Sequence, residues 1–135
     1  MKRTLLLFTI FFTSIAVSCT KSEKETTQLK QASYDDISLQ EFHDLTAIED
    51  PNTIILDVRT DREFGAGNIP NSVNIDFNSP NFKNQISELD SSKTYLVYCQ
   101  VGGRSSAAAN LMASELGFEN VKNLQGGYSS WKIGE

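Results

Sequence analysis

The chain is poor in the residues that build metal sites and covalent frameworks. Its 135 residues hold two cysteines and one histidine. Two thiols cannot make a disulfide framework. One His and two Cys fall short of a four-ligand structural zinc site unless carboxylates complete it, so no metal is expected. Positive charge is also short: 12 Lys and Arg stand against 17 Asp and Glu, a net of −5. Setting aside Lys2 and Arg3, which belong to the leader described next, makes it −7. That balance speaks against nucleic acid as a partner. No apolar run reaches the ~20 residues of a membrane-crossing helix, and no internal repeat is visible. What is present suits a folded core: 39% hydrophobic and 21% charged residues, in a chain sized for one domain and not two.

The longest apolar stretch, residues 5–17, is broken only by Thr9, Thr13 and Ser14 and follows Lys2 and Arg3. At ~1.5 Å per residue it spans roughly 20 Å, short of a ~30 Å hydrocarbon core. A positive start, a short apolar middle and small residues at the end describe an export signal. Its end, Ile15-Ala16-Val17-Ser18-Cys19, resembles the lipobox of bacterial lipoproteins, although Leu is commoner where Ala16 stands and Gly or Ala where Ser18 stands. The resemblance implies a lipoprotein signal peptide over 1–18, acyl chains on Cys19, and a bacterial cell-envelope location with the membrane as a partner. Residues 19–33 carry one large apolar residue, Leu29, and read as a flexible tether. The folded domain is then 34–135.

Strand and helix patterns alternate through that domain. Residues 34–37 read as a short strand. Ser38 and Glu41 have the spacing of a capping box opening a helix to about Thr46. Residues 53–58 are a dense apolar run, the pattern of a strand buried on both faces. Thr60 and Glu63 form a second capping box over a short helix, and Gly65, Gly67 and Pro70 enforce a loop. Residues 72–75 alternate as a strand, 81–89 have helical spacing, and 94–98 are another buried strand. Residues 105–116 are helical, with Ala108, Leu111, Met112 and Leu116 on one stripe and Gly117 as the stop. Residues 121–124 are the last strand, and 128–131 one final turn. The alternation predicts a single α/β domain, a mostly parallel sheet with helices on both faces. Active sites in such sheets lie at the carboxyl ends of strands.

That rule singles out the end of the 94–98 strand, where Cys99-Gln100-Val101-Gly102-Gly103-Arg104-Ser105 leads into a helix. Two glycines let the backbone curl so that successive N–H groups converge. Such a nest, with a helix N-terminus behind it, holds anions. A sulfur inside it is favoured as thiolate, below the free cysteine pKa of ~8.5. An inert buried cysteine ending a strand is the plain alternative; the whole run of strand, Cys, Gly-rich turn, Arg and helix favours a reactive one.

At this point the sequence resembles the rhodanese-like domains, over roughly residues 38–132. Leu56-Asp57-Val58-Arg59, Glu63-Phe64, Gly67 and Ile69-Pro70 are similar to the family's first signature. Tyr98-Cys99, Gly102, Arg104-Ser105 and Ala108 are similar to its active loop. Gly117-Phe118, Val121, Leu124, Gly126-Gly127 and Trp131 are similar to its closing motif. Two positions depart: Asn68 where His is frequent, and Gly103 where many members carry a second Arg or another polar residue. Arg104 is therefore the loop's only cation.

The resemblance implies a five-stranded parallel sheet and an active-site Cys99 that carries sulfane sulfur as a persulfide. Its thiolate attacks the outer sulfur of a donor such as thiosulfate, sulfite leaves, and a thiol or cyanide acceptor removes the sulfur. This covalent chemistry needs no metal or organic cofactor, and a monomer suffices. Gln100, Val101, Gly102, Gly103, Arg104 and Ser105 would bind the anion. Arg104 either stabilises anions or caps the loop by pairing with Asp57, a residue read as scaffold. Arg59 either attracts an anionic donor or is a solvated surface charge. Glu63 is read as a helix cap, His43 as surface or packing, and Trp131 and Phe118 as core. Two rivals stand beside this reading: a non-catalytic persulfide-carrier or docking domain, and a phosphatase of the same fold. The phosphatases place five residues between Cys and Arg, whereas four separate Cys99 from Arg104, which makes a tighter cup.

Overall fold

The computed structural model describes residues 33–134. The leader, Cys19 and all of the tether but Ser33 lie outside the described residues. Five strands, β1 (Asp35–Ile37), β2 (Thr53–Asp57), β3 (Val73–Asn74), β4 (Thr94–Tyr98) and β5 (Asn120–Leu124), form one sheet in the order β1-β5-β4-β2-β3. Every neighbouring pair is parallel. Helices α1 (Leu39–Thr46), α2 (Asp61–Gly65), α3 (Phe82–Ser87), α4 (Gly103–Ser114) and α5 (Gly127–Gly134) complete the domain. This is the predicted α/β architecture, and the central strand explains it. β4 is buried from Tyr95 onward, and its side chains alternate between faces. Tyr95, Val97 and Cys99 join Phe82 and Ile86 of α3 and Ala108, Ala109, Met112 and Ala113 of α4. Leu96 and Tyr98 join Phe42 of α1 and Trp131 of α5 on the other face.

Local chemistry sets most element ends. Ser38 Oγ accepts the Glu41 N–H at 3.2 Å, but Glu41 does not reach back, so only half of the first predicted box forms. Both arms of the Thr60–Glu63 box are present. The predicted stripe of α4 is corrected: its buried face is Ser105, Ala108, Ala109, Met112 and Ala113, with Leu111 and Leu116 at the margin. Small side chains let this helix lie close on β4 and β5. It also opens at Gly103, two residues before the predicted start. The final turn is in fact the eight-residue helix α5. Its Trp131 packs edge-on against Phe42, ring centroids 5.9 Å apart, and stacks on His43 at 4.4 Å.

Candidate active site

Parallel pairing gathers the carboxyl ends of the strands at one edge, and Cys99 directly follows β4 there. The backbone then turns at Gly102, whose φ of 104° is left-handed and makes it the N-cap of α4. A side chain at that φ would be strained. The turn brings the Gly102 N–H to 3.1 Å from Cys99 Sγ. The Ser105 hydroxyl, one turn into the helix, lies 3.4 Å from the same sulfur and shares its proton with the Gly102 carbonyl oxygen at 3.1 Å. Burial pushes the Cys99 thiol up; the Ser105 hydroxyl and the amides of Ser105, Val101 and Gly102 outweigh it, so its pKa falls below the ordinary value. Cys99 is 1% exposed, which puts the sulfur at the floor of the cup.

The cup is braced from behind by α5. The Tyr128 N–H donates to the Cys99 carbonyl at 2.8 Å, and the Ser129 N–H to the Gln100 carbonyl at 3.0 Å. Gln100 Nε2 returns a bond to Ser129 Oγ at 3.0 Å. Gly127 has a φ of 57° and lies so near that a Cβ there would stand 2.9 Å from the Gln100 carbonyl carbon. Sequence reasoning missed this brace; Gly126-Gly127, a pair that permits close backbone approach, was its only signal.

The charged residues are arranged differently from the sequence expectation. Asp57 pairs with Arg59 and not with Arg104. Arg59 is buried, and Asp57 Oδ2 accepts from its Nη2 at 2.6 Å and from its Nε at 3.0 Å. It is therefore no solvated surface charge. Arg59 also donates to the Gly67 carbonyl at 2.7 Å and to Gln100 Oε1 at 3.4 Å, and its guanidinium lies 4.1 Å from the Tyr128 ring centroid. The pair thus ties β2, the 65–72 loop, the active loop and α5 together. Arg104 closes a two-pronged bond on Glu63, Nη1–Oε2 at 2.8 Å and Nη2–Oε1 at 2.6 Å. Glu63 is both helix cap and Arg104 partner, and the Arg104 bonds outweigh burial to hold its pKa at about 2. Among the described residues no three His, Cys, Asp or Glu side chains cluster as metal ligands. A hollow of about 440 Å³ between Ser33, Asp35 and residues 117–122 lies away from Cys99, and no cysteine or histidine lines it.

Comparison with known proteins assigns the family. The sequence profile of the rhodanese-like domain matches residues 38–133. The chain belongs to the rhodanese-like family. A rhodanese-related protein from Thermoplasma volcanium is 32% identical, with a TM-score of 0.62 over 75% of this chain and 93% of that one. Thiosulfate sulfurtransferase 16 of Arabidopsis thaliana is 37% identical over 56% of this chain and 71% of its own length. Adenylyltransferase and sulfurtransferase UBA4 of Scheffersomyces stipitis is 34% identical over 72% of this chain, which spans only 24% of that protein. Thiosulfate sulfurtransferases thus stand among the relatives of this rhodanese-like domain.

Proposed function

We propose that this domain is a sulfurtransferase that carries sulfane sulfur on Cys99 and hands it to a thiol or cyanide acceptor. The observation that carries the reading is the convergence of the Gly102 N–H and the Ser105 hydroxyl on one sulfur at 3.1 and 3.4 Å. These donors favour a thiolate as nucleophile and stay in place for the terminal sulfur of a persulfide. The thiolate attacks the outer sulfur of a donor, the old bond breaks towards the donor remnant, and a persulfide remains. Thiosulfate is one such donor and would release sulfite. The short spacing from Cys99 to Arg104 supports a single sulfur over a phosphate group. The test is the mass of the Cys99 peptide after donor treatment. One added sulfur that a thiol then removes is expected; a docking domain or a phosphatase would gain none. Acylation of Cys19, with attachment to the bacterial cell envelope, belongs to the same proposal. Acyl labelling lost in Cys19→Ala is its expected result, and labelling that persists would refute the lipobox.

A further inference from the structure

Resting on that sulfurtransferase reading, we propose that the cup is built for a hydropersulfide of low charge, R–S–SH or its monoanion, in preference to the thiosulfate dianion. The first ground is charge. Arg104 is the only cation between Cys99 and Ser105; Glu63 holds its guanidinium in a two-pronged bond and neutralises its charge, although the guanidinium also reaches the Cys99 sulfur. Arg59 is closed in the same way on Asp57 and turns its remaining donors to Gly67 and Gln100. Each arginine is matched by its own carboxylate. With the Cys99 thiolate the cluster of these five residues therefore carries a net charge of −1. A dianion meets twice the repulsion that a monoanion meets, and a neutral donor meets none.

The second ground is shape and polarity. The sulfur lies at the floor of the cup, since Cys99 is 1% exposed. A hydropersulfide reaches it with a narrow chain of two sulfurs, whereas the outer sulfur of thiosulfate sits directly on a broad tetrahedral sulfonate. Val101, two residues along the loop, is 68% exposed. An apolar rim there suits an organic tail and offers nothing to a sulfonate. The step balances without a further reagent. Cys99 S⁻ attacks the terminal sulfur of R–S–SH, a new S–S bond to Cys99 forms as the donor's own S–S bond breaks, and RS⁻ leaves with the electron pair while the proton stays on the transferred sulfur.

The experiment compares kcat/KM for loading Cys99 of the full chain, read by mass on its peptide, with thiosulfate and with a hydropersulfide on an uncharged tail, at rising potassium chloride. A preference of about tenfold or more for the hydropersulfide is expected, and salt should speed thiosulfate by screening like charges. Two variants should shift the preference towards thiosulfate. Glu63→Gln removes one negative charge yet keeps an oxygen for the Thr60 N–H. Val101→Lys adds a cation at an exposed position that folding does not depend on. A shift of roughly tenfold, ~1.4 kcal/mol, is expected in the donor ratio of each. Thiosulfate being the better donor, its rate falling with salt, or an unchanged ratio in both variants would overturn the proposal and leave sulfur transfer standing. Failure of both donors to add sulfur would instead sink the sulfurtransferase reading itself.

Discussion

The Cys99 thiol is drawn towards thiolate by atoms that the sequence brings to it from very near: an amide three residues on and a hydroxyl six residues on. Removing the hydroxyl by Ser105→Ala should raise the Cys99 pKa. The sign follows from the direction of the shift: thiolate is present above a depressed pKa, so losing a donor moves its titration to higher pH. A hydrogen bond to a charged group is worth ~1.5–3 kcal/mol, and one pKa unit is ~1.4 kcal/mol. Because the proton is shared with Gly102, about one unit is expected, read from the pH dependence of Cys99 alkylation in a protein lacking Cys19. The same measurement ranks amides against charge. Gly102→Val cannot hold a φ of 104° without strain, and so should lose the converging amide. Arg104→Gln removes a cation that Glu63 neutralises and that touches the sulfur from its side chain alone, whereas the Ser105, Val101 and Gly102 groups lead the lowering of the Cys99 pKa. The larger upward shift should come from Gly102→Val. A free-cysteine pKa in Arg104→Gln beside a low one in Gly102→Val would show that charge dominates.

The helix α4 is more than a backdrop to the loop, because its first residue is Gly103 and both Arg104 and Ser105 lie in its first turn. Each helical residue turns the chain by ~100°. One Gly inserted between Gly103 and Arg104 should therefore rotate Ser105 away from Sγ and Arg104 away from Glu63, and not merely widen the cup. Sulfur loading should fall by at least an order of magnitude with no gain in aryl phosphate hydrolysis; a gain would show that cup size alone decides the chemistry. Elements of this kind were unevenly legible in the sequence. β2 and β4 announced themselves as dense apolar runs between turn residues, and α2 by its capping box. The start of α4 did not, because glycines read as loop when their role as N-cap and first turn depends on the backbone around them. The length of α5 was hidden for another reason: Trp131 against Phe42 and His43 stabilises it across the fold, and no local pattern carries that. The site showed the same division. Cys99 and its loop were plain from a contiguous stretch, whereas the Glu63–Arg104 contact joins residues 41 apart.

Across the whole molecule the two ion pairs hold different things. Glu63 and Arg104 are partly exposed, and such pairs contribute little to stability, ~0.2–1 kcal/mol; their weight falls on the charge of the cup. Asp57 and Arg59 are buried at the end of β2, where they join the 65–72 loop, Gln100 and Tyr128. Removing one member of a buried pair strands the other's charge and costs about 3–5 kcal/mol. For a domain near 100 residues each kcal/mol moves the thermal midpoint by ~4–8 °C, so Asp57→Ala should melt at least ~12 °C below the parent. Asp57→Leu combined with Arg59→Met exchanges the pair for apolar volume and should regain most of that loss. It should not regain sulfur transfer, because Gly67 and Gln100 still lack the donor that positions the back of the loop. Thermal unfolding followed by circular dichroism, beside sulfur loading of Cys99, separates the two effects. If the double variant recovered activity together with stability, Arg59 would be a stabiliser of the sheet edge alone. If Asp57→Ala melted within a few degrees of the parent, the pair would not be the tie between β2 and the active loop that its geometry describes.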